Sequence, residues 1–198
     1  MMDIQSVRVN TAGAYVCIDG LYVLAIGIQS YNGHIPIVRI GGHREGNETG
    51  WQCAIREVYE EADLQIKPIL PQTTYSCDWD HLETELQEIR WQKEIEQEPV
   101  PILVITYCPE DKLSLSIMYL AYAEGLPKPS SEVKGLVLLG QEEIHHLCQE
   151  SLTLEQYLNR GGKAILNAEF NMKLILEPFA QLRLLSRILS IQSESKVV

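Results

Sequence analysis

Basic charge is what this chain has least of: 16 Lys and Arg stand against 27 Asp and Glu, a net charge of −11. A protein that grips a phosphate backbone needs a basic face or stripe, so nucleic acid is excluded as an expected partner. Paired cysteines are missing as well. Cys17, Cys53, Cys77, Cys108 and Cys148 are odd in number and widely spaced, with no Cys-x-x-Cys pair. That pattern makes neither a disulfide framework nor a zinc site, and it fits a reducing cytosol. No apolar run is long enough to cross a bilayer; the longest, residues 14–28, is interrupted by Asp19-Gly20. The opening Met-Met-Asp-Ile-Gln lacks the basic and apolar regions of a signal peptide. The expectation is a cytoplasmic protein with no membrane partner.

What is present is an ordinary globular composition, 45% hydrophobic over 198 residues. A chain of this size buries roughly two-thirds of its unfolded surface without help from disulfides. β-branched and aromatic residues crowd 7–18 and 21–28, joined by Asp19-Gly20, a hairpin signal. Residues 35–40 read as a further strand. Thr49-Gly-Trp-Gln52 has the spacing of a capping box that opens a helix, with Trp51, Ala54, Ile55, Val58 and Ala62 as its apolar face. Strands are expected at 64–69, 73–79, 102–107, 113–123 and 134–139, with a turn around Pro109-Glu110-Asp111 and a short helix at 142–148. The tail from Ser151 reads as helical, with a capping box at Thr153 and Gln156. The fold class is α/β, a mixed sheet packed against helices, in a domain spanning 1–150 followed by a helical extension over 151–198.

The chemistry concentrates in residues 42–64. Glu57, Glu60 and Glu61 lie at i, i+3 and i+4, so a helix crowds all three carboxylates along one edge. Like charges at these spacings oppose the helix, and a divalent cation removes the opposition; hard oxygen donors select Mg²⁺, Mn²⁺ or Ca²⁺ over zinc. Around them run Gly42, five residues, Glu48, seven residues, Arg56-Glu57-Val58-Tyr59-Glu60-Glu61, and then Leu64. The run is similar to the Nudix box, Gly-x5-Glu-x7-Arg-Glu-U-x-Glu-Glu-x-Gly-U with U aliphatic. Its specified positions would coincide by chance roughly once in a million chains of this length. The sequence therefore resembles a Nudix hydrolase over these 23 residues. Two positions depart from the family pattern: Asp63 replaces the last box glycine, and Asn47 the glycine common before Glu48. Both are expected to take left-handed backbone, which Asn and Asp tolerate best after glycine.

The resemblance implies an α/β/α sandwich and metal-dependent hydrolysis of a diphosphate in a nucleoside diphosphate derivative, by attack of water on phosphorus. Carried over by position, Glu57, Glu60, Glu61 and the carbonyl of Gly41 become metal ligands. Gly42, Glu48 and Arg56 become structural parts of the box. The general base is either Glu57 or Glu132, the latter in a loop before the last domain strand. Arg39 and Arg44 are candidate phosphate contacts, and Trp79 and Trp91 candidate walls for a base. Residues 78–98 hold eight acids against Arg90 and Lys93, and the spacing of Leu82, Leu86 and Ile89 reads as helical. The signatures of the ADP-ribose, dinucleoside-polyphosphate and coenzyme A subfamilies are missing, so the substrate within the class stays open. The competing function is a Nudix-fold sensor that binds a nucleotide without turnover. Phe179, Leu182, Leu185, Ile188 and Leu189 form one helical face, read either as docking on the domain or as the seam of a homodimer.

Overall fold

The computed structural model describes residues 8–84, 86–92, 97–108, 112–167 and 169–194. The expected hairpin forms from β1 (Arg8–Ile18) and β2 (Leu21–Ile26), with Asp19 and Gly20 both at positive φ, 50° and 81°. Next come β3 (His34–Val38), β4 (Ile40–His43) and the box helix α1 (Gly50–Ala62). Then follow β5 (Ile66–Ile69), β6 (Thr74–Asp78), a 3-10 turn at Trp79–His81, β7 (Gln87–Ile89), β8 (Leu103–Tyr107), β9 (Ser114–Ala123) and β10 (Gly135–Leu139). The chain closes with α2 (Gln141–Gln149), α3 (Leu154–Asn159), β11 (Lys163–Leu166), β12 (Ile175–Pro178) and α4 (Ala180–Glu194).

The strands join one mixed sheet in the order β11-β10-β2-β1-β9-β8-β6-β7, with β4 beside β1, β5 beside β9, and β3 and β12 extending β2. β1 runs parallel to β9 and antiparallel to β2 and β4. Because successive strand residues face opposite ways, β1 sends Tyr15 to one core and Val16 to the other. The first core gathers Tyr15, Met118, Ile105 and Val137 under Ile144 and Leu147 of α2 and Leu182, Leu185 and Ile188 of α4. The second sets Val16, Val104 and Ile117 against Ala54, Val58 and Ala62 of α1. The mixed sheet thus lies between helices, as an α/β/α sandwich requires.

Three expectations are corrected. The extension from residue 151 is not wholly helical: β11 pairs with β10, and β12 pairs with β3. The stretch around Leu82, Leu86 and Ile89 is a turn and a strand rather than a helix. A three-residue separation puts Leu86 and Ile89 on opposite faces of an extended chain, and they enter the two different cores. On α1, Ile55 is exposed, and its expected place in the buried face is taken by Cys53 and Glu57. The apolar face of α4 is covered within the chain, where Leu182, Leu185 and Ile188 are wholly buried and Tyr15 Oη donates to Gln181 O at 2.7 Å. Leu189 is buried as well, whereas Phe179, the residue before α4, is exposed. Among the described residues no helix is long and apolar enough to cross a membrane, and all five cysteines are free thiols. The turn expected at 109–111 lies outside the described residues.

Candidate active site around the box helix

Helix α1 starts where the capping box said it would. Thr49 Oγ1 accepts from Gln52 N–H at 3.2 Å, and Gln52 Oε1 accepts from Thr49 N–H at 2.9 Å, so two otherwise unpaired donors are satisfied. Thr49 Oγ1 also donates to Glu98, which ties the end of the 78–98 segment to the helix start. The helix stops at Asp63, left-handed at φ 53°, with its N–H on Tyr59 O. That bears out the reading of Asp63 as a stand-in for glycine. Asn47 is not left-handed; Gly46 takes that conformation instead, at φ 48°, because a glycine one residue earlier makes the same turn with less strain.

Arg56 organises the loop and helix. Its guanidinium grips both oxygens of Glu48 (3.2 and 2.8 Å), donates to Glu57 Oε1 and Glu60 Oε2 (2.8 Å each), and reaches His43 O at 2.9 Å. The Glu48 carboxyl is consequently held below its ordinary range, chiefly by these bonds. Arg56 thus links the loop at His43 and Glu48 to Glu57 and Glu60 of the helix.

The two glycines of the loop are needed for space. A Cβ on Gly42 would sit 2.6 Å from Glu57 Cδ, so the carboxylate of Glu57 occupies the place a side chain would take. At Gly41, φ is +147°, and a Cβ would meet the Arg39 guanidinium as well as Ala12 O at 2.5 Å. Gly41 N–H donates to Glu61 Oε2 at 3.2 Å. Arg39 thus lies beneath the loop, donating to Ala12 O at 3.3 Å. Burial lowers its pKa, while the charges of Glu61 and Glu57 pull it back up.

Charge in this corner is unbalanced. Burial lifts the Glu61 carboxyl to about 7, with Glu57 and Glu132 adding to the rise and the Gly41 N–H and Arg39 opposing it. Glu57 is raised too, first by burial and then by Glu60, against the pull of Arg56. Carboxylates so withheld from water, with Arg39 and Arg56 as the cations beside them among the described residues, are hard oxygen donors, and this chemistry fits a divalent cation. Among the described residues no three His, Cys, Asp or Glu side chains converge on a single point: Glu57 and Glu60 are turned onto Arg56, and Glu61 onto Gly41.

The other candidates are dispersed. Glu132 is exposed, but its charge reaches Glu61. Arg44 is half-buried, and its Nε is buried with no hydrogen-bond partner among the described residues. Trp79 is exposed at the start of the 3-10 turn, whereas Trp91 packs on the α1 core and borders a gap with Gly50, Ile117 and Tyr119. A recess of about 930 Å³ opens along β6 and β7, lined by Cys77, Asp78, His81, Leu86, Thr106 and Ile191 among others, and Trp79 is absent from its wall. Reading the sequence missed Asn167, whose side chain donates to Ser130 O and Val133 O in the Glu132 loop. No local pattern marks a bond between residues 37 positions apart.

No protein-family model and no curated protein matches the chain. Solved structures to which it is similar are Nudix hydrolases. One from Nitrosomonas europaea is 18% identical with a TM-score of 0.43, over 69% of this chain and 60% of that one. A NUDIX-family hydrolase from Clostridium perfringens is 19% identical at a TM-score of 0.44, over 70% of this chain and 85% of that one. A C. elegans Ap4A hydrolase is 20% identical at a TM-score of 0.40, over 68% of this chain and 82% of that one.

Proposed function

We propose that the chain is a Nudix-type pyrophosphohydrolase, cleaving the diphosphate of a small nucleoside diphosphate derivative with Mg²⁺ or Mn²⁺. The observation that carries this reading is the cation-deficient edge of α1, with Glu57 against Gly42, Glu61 on the Gly41 N–H, and Glu60 on Arg56. Glu57, Glu60 and Glu61 are the residues that would hold the ion, with the Gly41 carbonyl as a further donor. When bound, the metal supplies neutralising charge at the diphosphate and a water of lowered pKa.

The chain's own residues divide the remaining work. Arg56 keeps Glu57 and Glu60 on one side of the helix, and Glu48 in turn fixes Arg56. Arg44, half-buried in the loop with its Nε unpartnered among the described residues, would turn its guanidinium to a phosphate oxygen. Glu57 has its oxygen on Arg56 and its carboxylate against Gly42, whereas the Glu132 carboxylate accepts no hydrogen bond from the described residues. That freedom favours Glu132 as the group that takes the proton from the attacking water. Arg39 serves as an internal counter-charge beneath Glu61 rather than as a first contact for substrate. The odd number and wide spacing of the cysteines are the ground for proposing a reducing, cytoplasmic setting.

The test is a screen for phosphate-containing products over nucleoside di- and triphosphates, dinucleoside polyphosphates and nucleotide sugars, with Mg²⁺ and with chelator. The expected result is turnover of at least one compound that chelator abolishes and that Glu60→Gln lowers by roughly 100-fold or more. Ligand-induced stabilisation without turnover of any compound would replace the enzyme by the nucleotide sensor.

A further inference from the structure

The segment after residue 151 is wired into the loop that carries Glu132. On one side this loop is strung across the end of the box helix. Lys128 N–H donates to Ala62 O at 2.8 Å, Ser130 N–H to Glu61 O at 3.1 Å, and Lys128 Nζ pairs with Asp63 at 3.3 Å. The last carbonyls of a helix have no partner inside it, so a loop that fills them is held to the helix end. On the other side stands Asn167, directly after β11. Its N–H donates to Lys134 O at 3.1 Å, and its Nδ2 donates to Val133 O at 3.0 Å and to Ser130 O. Within the turn, Ser130 Oγ accepts from Glu132 N–H at 3.2 Å. One side chain therefore bridges the residues on both flanks of Glu132. The Glu132 carboxylate itself is exposed and takes no hydrogen bond from the described residues, so the backbone of this loop is what places it.

Asparagine suits this task chemically. Its amide nitrogen carries two N–H donors, one for each carbonyl, whereas the equally shaped aspartate has none and would set a negative charge against two carbonyl oxygens. We propose that Asn167 is a positioning residue: by clamping the carbonyls of Ser130 and Val133 it holds Glu132 toward the box carboxylates, and it makes the C-terminal segment part of the catalytic unit. The inference rests on Glu132 being the general base of the proposed hydrolysis.

The experiment compares full-length wild type with Asn167→Ala, Asn167→Asp, Glu132→Gln, the Asn167→Ala/Glu132→Gln pair, and Glu60→Gln as reference. Amide hydrogen exchange without metal or substrate reads the clamp itself. Exchange at Ser130, Glu132, Val133 and Lys134 is expected to quicken by about tenfold or more in Asn167→Ala, with the core of α1 unchanged. Kinetics with Mg²⁺, on the compound turned over fastest in the screen above, read its consequence. The expected loss in kcat is roughly 10- to 100-fold with KM within about twofold, since small misplacements of a reacting group cost that much. Asn167→Asp falls as far or further, and Asn167→Ala adds nothing once Glu132 is Gln. Should Asn167→Ala melt too low to assay, Asn167→Ser takes its place in both arms. Quickened exchange with unchanged kcat overturns the positioning role, and so does a full multiplicative loss in the paired variant. Normal turnover by Glu132→Gln beside a silent Glu60→Gln removes the base, and Asn167's role with it, while the cation site stands.

Discussion

Replacing Glu61 by Gln isolates the energetic strain of the carboxylate edge. In the folded chain this carboxyl titrates at about 7 against an ordinary 4.5. The folded state therefore keeps a proton that the unfolded chain gives up, and the group favours folding fully below pH 4.5. That advantage is lost as pH rises to about 7, beyond which a buried carboxylate is charged at a cost. The rise corresponds to roughly 3 kcal/mol at its upper bound. Partial contact with water screens it to about 1–2 kcal/mol, or roughly 2–8 °C in Tm for a domain of this size. The assay is thermal unfolding of chelated wild type and Glu61→Gln between pH 5.5 and 8.5. Wild type should lose ground to the variant by most of that amount as pH rises, and Mg²⁺ at pH 8.5 should raise wild type while leaving the variant nearly still. Parallel pH profiles for the two proteins would refute the reasoning.

The two loop glycines should fail in different ways. Gly42→Ala strikes the carboxylate end of the Glu57 side chain rather than backbone, so unfolding should shift by less than about 1 kcal/mol while turnover drops roughly 100-fold, as a melt and a rate on one sample would show. Gly41→Ala meets backbone at positive φ and should lower stability by about 2 kcal/mol or more in denaturant unfolding. Thr49→Ala removes the α1 cap and the bond to Glu98, with an expected loss of about 1 kcal/mol by the same method. Leu185→Ala, wholly buried between α4 and the sheet, should cost about 2–5 kcal/mol and leave the kcat of the folded fraction unchanged.

What could be read from the sequence was local. The hairpin at Asp19-Gly20, the cap at Thr49, the stop at Asp63 and the carboxylate edge are each set by residues a few positions apart, and each is present. The failures share a different cause. The strands β11 and β12 borrow their partners from β10 and β3, and β7 exists because β6 offers it an edge. Local pattern could not announce such pairing, and the 3-residue spacing of Leu86 and Ile89 looked helical when it marked two faces of a strand. At the site, the box announced Glu48, Arg56 and the carboxylates of Glu57, Glu60 and Glu61 through spacing alone. The burial of Arg39 between Gly41 and Gly13 and the clamp of Asn167 on the Glu132 loop depend on distant chain, and only the fold brings them together. The acidity that first excluded nucleic acid is partly explained by the same geometry: residues 42–64 carry six acids and two bases.

Hydrolysis in ¹⁸O-labelled water tests the central claim most directly. Taking the compound turned over fastest with Mg²⁺, the account predicts one ¹⁸O atom in a single phosphate-bearing product, read by mass spectrometry, and no labelled product with chelator or in Glu60→Gln. Label in the non-phosphate fragment, or labelled product that persists without divalent metal, would contradict it.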